Sequence, residues 1–134
     1  QLQATSFSFP LRCHSGFTMS ASVPRHQPEF LFIQHDASCP PQLGVKTLQS
    51  RNIGFQVVYA NFPNAFAKIQ PSMFKGIVVL GGHMSAWQDD EFAWMRELKS
   101  FLKRAVDSNV PILGLCLGAQ LLANIVGGTN FVGT

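Results

Sequence analysis

Residues 112–123 read Ile112-Leu113-Gly114-Leu115-Cys116-Leu117-Gly118-Ala119-Gln120-Leu121-Leu122-Ala123. The stretch opens as a short apolar run, the pattern of a strand over residues 112–115. It continues as an amphipathic helix over Gly118–Val126, closed by Gly127-Gly128. The joint between them is Gly-x-Cys-x-Gly. A strand that turns straight into a helix leaves no room for bulky neighbours, so glycines flank the bend and the bend lifts the cysteine out of the sheet. The helix beginning near Gly118 aims its positive end at the sulfur, which favours thiolate. The N–H of Leu117 is placed to donate to an oxyanion. An isolated cysteine reads as a small buried residue. Between two glycines, a strand and a helix, Cys116 reads as a nucleophile.

Upstream, the same alternation repeats. Phe30-Leu31-Phe32-Ile33 is a continuous apolar run, as for a strand buried on both faces. Pro40-Pro41 mark a loop, and residues 44–51 read as a short helix with Val45 and Leu48 on one face. Gly54–Tyr59 is a second strand. Residues 60–75 form a connection with one helical turn around Ala65–Ile69, and Gly76–Leu80 is a third strand that runs into Gly81-Gly82. A helix is expected over Asp89–Val106. Its apolar face is Trp94, Met95, Leu98, Phe101, Leu102 and Ala105; acids stand at its start and bases near its end, and Asn109-Val110-Pro111 stops it. Apolar strands alternating with helices predict an α/β fold, an open parallel sheet with helices on both faces. In such sheets ligands gather at the carboxyl ends of the strands, where Gly81-Gly82 and Cys116 both fall.

Composition narrows the function classes. Apolar residues make up 46% of the 134 and charged residues 13%, enough for one packed core. The net charge of +3 owes two units to Arg12 and Arg25 in the acid-free residues 1–28, so no basic patch points to nucleic acid. No apolar run approaches the roughly 18–20 residues of a membrane span. The three cysteines, Cys13, Cys39 and Cys116, are odd in number and widely spaced. That speaks against a disulfide framework or a zinc site and for a reducing, cytoplasmic setting. Residues 1–28 show neither helical nor strand period and read as an irregular extension, with residues 29–134 as the folded part. Met19 is a candidate start, and the Ser- and Arg-bearing leader leaves organellar targeting open.

The motif Gly114-x-Cys116-x-Gly118-x-Gln120 resembles the nucleophile motif of class I glutamine amidotransferases. Gly81-Gly82-His83-Met84-Ser85, on the far side of the expected 89–106 helix, is similar to that family's G-G-P-x-S oxyanion loop. The likeness spans about residues 29–128, with a leaning toward the GMP synthetase-like branch. It implies a flavodoxin-like fold. It also implies Cys116 as the residue that attacks the side-chain amide of glutamine, with Gly82 and Leu117 as oxyanion donors. Gly81, Gly82 and Gln120 would line the substrate pocket. Neither metal nor cofactor is implied, and a synthetase domain or subunit would use the ammonia. Gln120 reads equally as a first-turn helix residue bonded to nearby backbone.

Two departures qualify the resemblance. His83 stands where the family has Pro. The family's His-x-Glu pair, base and orienting acid, has no counterpart between Leu117 and Thr134, a stretch without His, Asp or Glu. General acid–base help is worth about 10²–10⁴-fold, so this sequence reads as the front part of a domain, truncated and crippled as an enzyme. The other histidines read blandly, His35 as a polar loop residue after the first strand. Three other readings compete: an inactive binding or regulatory module, a γ-glutamyl peptidase-type hydrolase, and a Cys-elbow peptidase or chaperone-like branch. That last branch carries His directly after the Cys, where this chain has Leu117.

Overall fold

Among the described residues, the apolar runs form four strands and the amphipathic segments form three helices. The structure is a computed structural model that describes residues 27–131. The expected irregular extension therefore lies almost entirely outside the described residues. In chain order the elements are β1 (Phe30–Gln34), α1 (Gln42–Ser50), β2 (Phe55–Tyr59), a 3₁₀ turn (Pro71–Met73), β3 (Gly76–Val79), α2 (Trp94–Asp107), β4 (Ile112–Gly114) and α3 (Leu117–Ile125). The strands make one parallel sheet in the order β2-β1-β3-β4. Ile33 sits between Val58 and Val79, and Val79 faces Gly114, so the carboxyl ends of the strands share one edge.

Strand alternation sorts the side chains onto two faces. Leu31, Ile33, Ile77 and Val79 are buried against Met95, Leu98, Phe101, Leu102 and Ala105 of α2 and against Leu117 and Leu121 of α3. Phe66, from the connection after β2, stacks on Phe101 at 4.6 Å between ring centroids. The opposite face carries Phe30, Phe32, Val78 and Leu80, and among the described residues α1 and the Pro40-Pro41 loop lie against it. That helix buries no residue fully, and Leu113 and Leu115 stay exposed beside it.

All three helices stop by one device. A left-handed residue follows each: Asn52 (φ 55°), Asn109 (φ 55°) and Gly127 (φ 88°). The next residue's N–H returns to a carbonyl in the last turn: Ile53 to Leu48, Val110 to Ala105, Gly128 to Ala123. These are Schellman closures.

Boundaries differ from expectation chiefly at the start of α2, which begins at Trp94 rather than Asp89. Residues 86–93 form hydrogen-bonded turns instead: the Gln88 side-chain oxygen accepts the Ser85 N–H at 2.6 Å, and the Gln88 carbonyl accepts the Glu91 and Phe92 N–H groups at 3.2 and 2.9 Å. The acids there pair with side chains of α2 rather than with its dipole: Asp89 with Lys99 at 2.5 Å, and Asp90 with Arg96. Helix α1 starts two residues earlier than expected because Pro41 already accepts the Val45 N–H at 2.8 Å. The turn expected around Ala65–Ile69 is present as single hydrogen-bonded turns, whereas the 3₁₀ turn at Pro71–Met73 was not anticipated.

Candidate active site

Cys116 occupies the bend between β4 and α3 with φ 52° and ψ −111°. Few non-glycine residues adopt such a backbone, and holding one there costs of order 1–3 kcal/mol that the surrounding packing must offset. The flanking glycines explain how the bend closes. A Cβ on Gly114 would lie 2.6 Å from the backbone of Gly118 and Ala119, and one on Gly118 would lie 2.3 Å from the Val79 carbonyl oxygen of β3. Both neighbours are backbone that cannot swing aside. Cys116 is exposed at the carboxyl edge of the sheet. Its carbonyl accepts the Ala119 and Gln120 N–H groups at 2.9 and 3.1 Å, which starts α3.

The loop after β3 comes up beside it. A Cβ on Gly81 would stand 3.4 Å from Cys116 Cβ, and one on Gly82 would stand 3.2 Å from Leu117 Cδ2. The structure thus brings Gly81, Gly82, Cys116 and Leu117 together. Among the described residues, neither the Gly82 nor the Leu117 N–H donates a hydrogen bond within the protein. Gln120 lies one turn into α3, half-buried. Its side-chain oxygen is buried with no partner among the described residues, while its main-chain oxygen accepts from Asn130 Nδ2 at 3.0 Å. No three His, Cys, Asp or Glu side chains among the described residues gather as a metal site. No helix there is long and apolar enough to cross a membrane.

Three residues near this site were misjudged or missed in the sequence. His35, expected as a polar loop residue, is 2% exposed and stacks on Trp94 at 5.4 Å between centroids. Its ring fills the space where a Gly82 Cβ would go, 2.9 Å from Cδ2. Among the described residues neither ring nitrogen has a hydrogen-bond partner, although the Gly81 backbone lies near the ring. Burial pushes the His35 pKa below the usual histidine value, against the pull of the Asp36 carboxylate. Cys39 is half-buried, with its sulfur 3.8 Å from where a Gly81 Cβ would stand.

Asp36 was not singled out at all. Its Oδ1 accepts the Ser38 N–H at 2.9 Å and the Ser38 hydroxyl at 2.7 Å. Its Oδ2 meets the His83 N–H at 3.2 Å and His83 Nδ1 at 2.6 Å. Ser38's backbone N–H, then its hydroxyl, then the His83 ring hold the Asp36 carboxyl well below the usual carboxylate range. An ionised carboxylate only accepts, so His83 Nδ1 carries the proton between them. The sequence signal was Asp-x-Ser directly after a strand, a side-chain-bonded turn.

The fold and this edge define a class: parallel α/β domains with a cysteine on a strand-to-helix elbow beside a Gly-Gly loop. The chain belongs to the class-I glutamine amidotransferase family, whose sequence model matches residues 42–132. It is 34% identical over 74 residues to gamma-glutamyl peptidase 4 of Arabidopsis thaliana, covering 55% of this chain and 28% of that protein. It is 36% identical over 87 residues to the glutamine-hydrolysing GMP synthase of Helicobacter pylori, covering 65% of this chain and 15% of that protein. A glutamine amidotransferase structure from Methylobacillus flagellatus superposes with a TM-score of 0.63 at 32% identity, over 76% of this chain and 40% of that one. One from Thermotoga maritima reaches 0.70 at 21% identity, over 77% and 44%, and speaks for the fold. The chain therefore spans less than half the length of each of these relatives.

Proposed function

We propose that Cys116 is the nucleophile of a glutamine-hydrolysing site. The observation that carries this reading is the strained elbow: a non-glycine residue at φ 52°, exposed, on a bend whose two glycines cannot be larger. The Cys116 thiolate attacks the side-chain carbonyl carbon of glutamine, and the carbonyl electrons move onto oxygen. The Gly82 and Leu117 N–H groups receive that oxyanion; removing one such donor elsewhere costs about 10²–10³ in rate. The intermediate collapses to a γ-glutamyl thioester, and nitrogen leaves as ammonia after taking up a proton. Water then cleaves the thioester to glutamate and the free thiol. Gln120, whose side-chain oxygen has no partner among the described residues, is the residue assigned to glutamine binding. The ammonia goes to an acceptor on a synthetase domain or subunit, as the GMP synthase relatives suggest.

The proton donor to the leaving nitrogen is not among residues 117–134, which include no His, Asp or Glu, and general acid–base help of that kind is worth about 10²–10⁴-fold. The decisive experiment uses a chloroketone analogue of glutamine and mass spectrometry. Selective labelling of Cys116 over Cys39 and Cys13, prevented by free glutamine, supports the reading. Equal labelling of all three thiols, unaffected by glutamine, refutes it.

A second reading has its own support. The Arabidopsis relative is a gamma-glutamyl peptidase, and the same thioester forms when the leaving nitrogen belongs to a peptide. Comparing glutamine with a γ-glutamyl dipeptide separates the two, since only the leaving group differs.

A further inference from the structure

The third residue of the Gly81-Gly82-His83 loop departs from the G-G-P-x-S pattern that the loop otherwise resembles. Proline would lock φ through its ring and carry no N–H. Histidine leaves the backbone freer and adds a donor that must be satisfied. Both consequences are met by one group. The His83 N–H and the His83 ring Nδ1 converge on the same oxygen of Asp36, at 3.2 and 2.6 Å. The other carboxylate oxygen is held by Ser38 through two bonds, at 2.9 and 2.7 Å. Asp36 follows β1, the strand paired with β3, so the bridge spans two neighbouring strand ends at the site. The buried His35 ring also lies against this loop, at Gly82.

We propose that Asp36 is a positioning residue that clamps the Gly81–His83 loop in the place of a proline ring, holding the Gly82 N–H toward the carbonyl attacked by Cys116. The inference rests on the reading of Gly82 as an oxyanion donor. It assigns Asp36 a role in loop geometry that is separate from its part in folding. His83's side chain is 73% exposed while the Asp36 carboxylate is mostly buried, so the pair is open to solvent on one side only. A displacement of about 1 Å in a catalytic group can cost on the order of 10²-fold in rate.

The test is a double-mutant cycle on the full chain: parent, Asp36→Ala, His83→Pro and both together. Three quantities are measured, at a temperature where circular dichroism shows every variant folded: the NMR order parameter of the Gly82 amide, the rate of Cys116 labelling by the glutamine chloroketone, and its labelling by iodoacetamide. Asp36→Ala is expected to lower the Gly82 order parameter from about 0.85 to below about 0.6. It should slow chloroketone labelling by on the order of 10²-fold, with iodoacetamide labelling nearly unchanged. In the His83→Pro background the same substitution should have no effect on the order parameter or on labelling, because the ring does the clamping. An unchanged Gly82 order parameter in Asp36→Ala overturns the proposal, and so does an equal loss in both backgrounds. A parent chain that shows no preference for the chloroketone refutes the glutamine reading instead, and the Gly82 order parameter then decides the clamp by itself.

Discussion

Gly118→Ala should destabilise the protein even though alanine is the better helix former. Residue 118 is the second residue of α3, where exchanging Gly for Ala would ordinarily stabilise by about 1 kcal/mol. Here the added methyl would lie 2.3 Å from the Val79 carbonyl oxygen and 2.8 Å from its carbonyl carbon. That is well inside ordinary contact, and the obstacle is the backbone of a central strand, which no rotamer change can move. Overpacking typically costs about 1–3 kcal/mol and occasionally more. With a rigid obstacle the upper end applies, and after the propensity gain the net loss is about 2 kcal/mol, a factor of roughly 30 in the folding equilibrium. Urea unfolding followed by circular dichroism reads this as a lower midpoint with an unchanged slope. Ala119→Gly, exposed on the same helix turn, is the control and should cost about 1 kcal/mol through propensity alone. The reasoning fails if Gly118→Ala unfolds at the parent's urea concentration or above it, since α3 would then not lie against β3 at this distance.

The other expectations follow from the same contacts. Gly82→Ala would drive a methyl to within 2.9 Å of the His35 ring and 3.2 Å of Leu117 Cδ2, so chloroketone labelling of Cys116 should fall by about 10²-fold while iodoacetamide labelling holds. Leu121→Ala empties a fully buried position in the core and should cost about 2–5 kcal/mol by urea unfolding. For pH, His35 binds its proton more weakly folded than unfolded. Its contribution to stability is therefore complete above about pH 6.5 and is lost as the pH falls through the lower folded-state value. Urea midpoints taken from about pH 7.5 to 5 should drop. His35→Phe, which keeps a ring against Trp94 without a titrating group, should flatten that slope; an unchanged slope would place the titration elsewhere. The depressed Asp36 carboxyl acts in a separate, more acid window, holding its contribution above about pH 4 and losing it below.

Much of this architecture was legible before any coordinates. The strands announce themselves as apolar runs because a parallel sheet is covered on both faces, and α2 does so because one stripe of Met95, Leu98, Phe101, Leu102 and Ala105 must be buried. The elbow was legible for a partly local reason: Gly114 meets the Gly118 and Ala119 backbone inside the bend, whereas Gly118 meets Val79 of β3, a contact that only the fold makes. The start of α2 was misread because residues 89–93 fold as turns and their acids are drawn into ion pairs along the helix, Asp89 with Lys99 and Asp90 with Arg96, rather than placed in its first turn.

The sequence by itself determined the elements, their parallel arrangement and the residue at the bend, since each follows from periodicity or from sterics between near neighbours in the chain. Only the tertiary structure decided what surrounds the bend. His35, Asp36 and Cys39 approach the Gly81–His83 loop because β1 and β3 pair side by side, although they lie far apart along the chain. A histidine after a strand looks the same in sequence whether water or Trp94 covers it. The covering depends on which strand lies next to which, and local pattern carries no record of that.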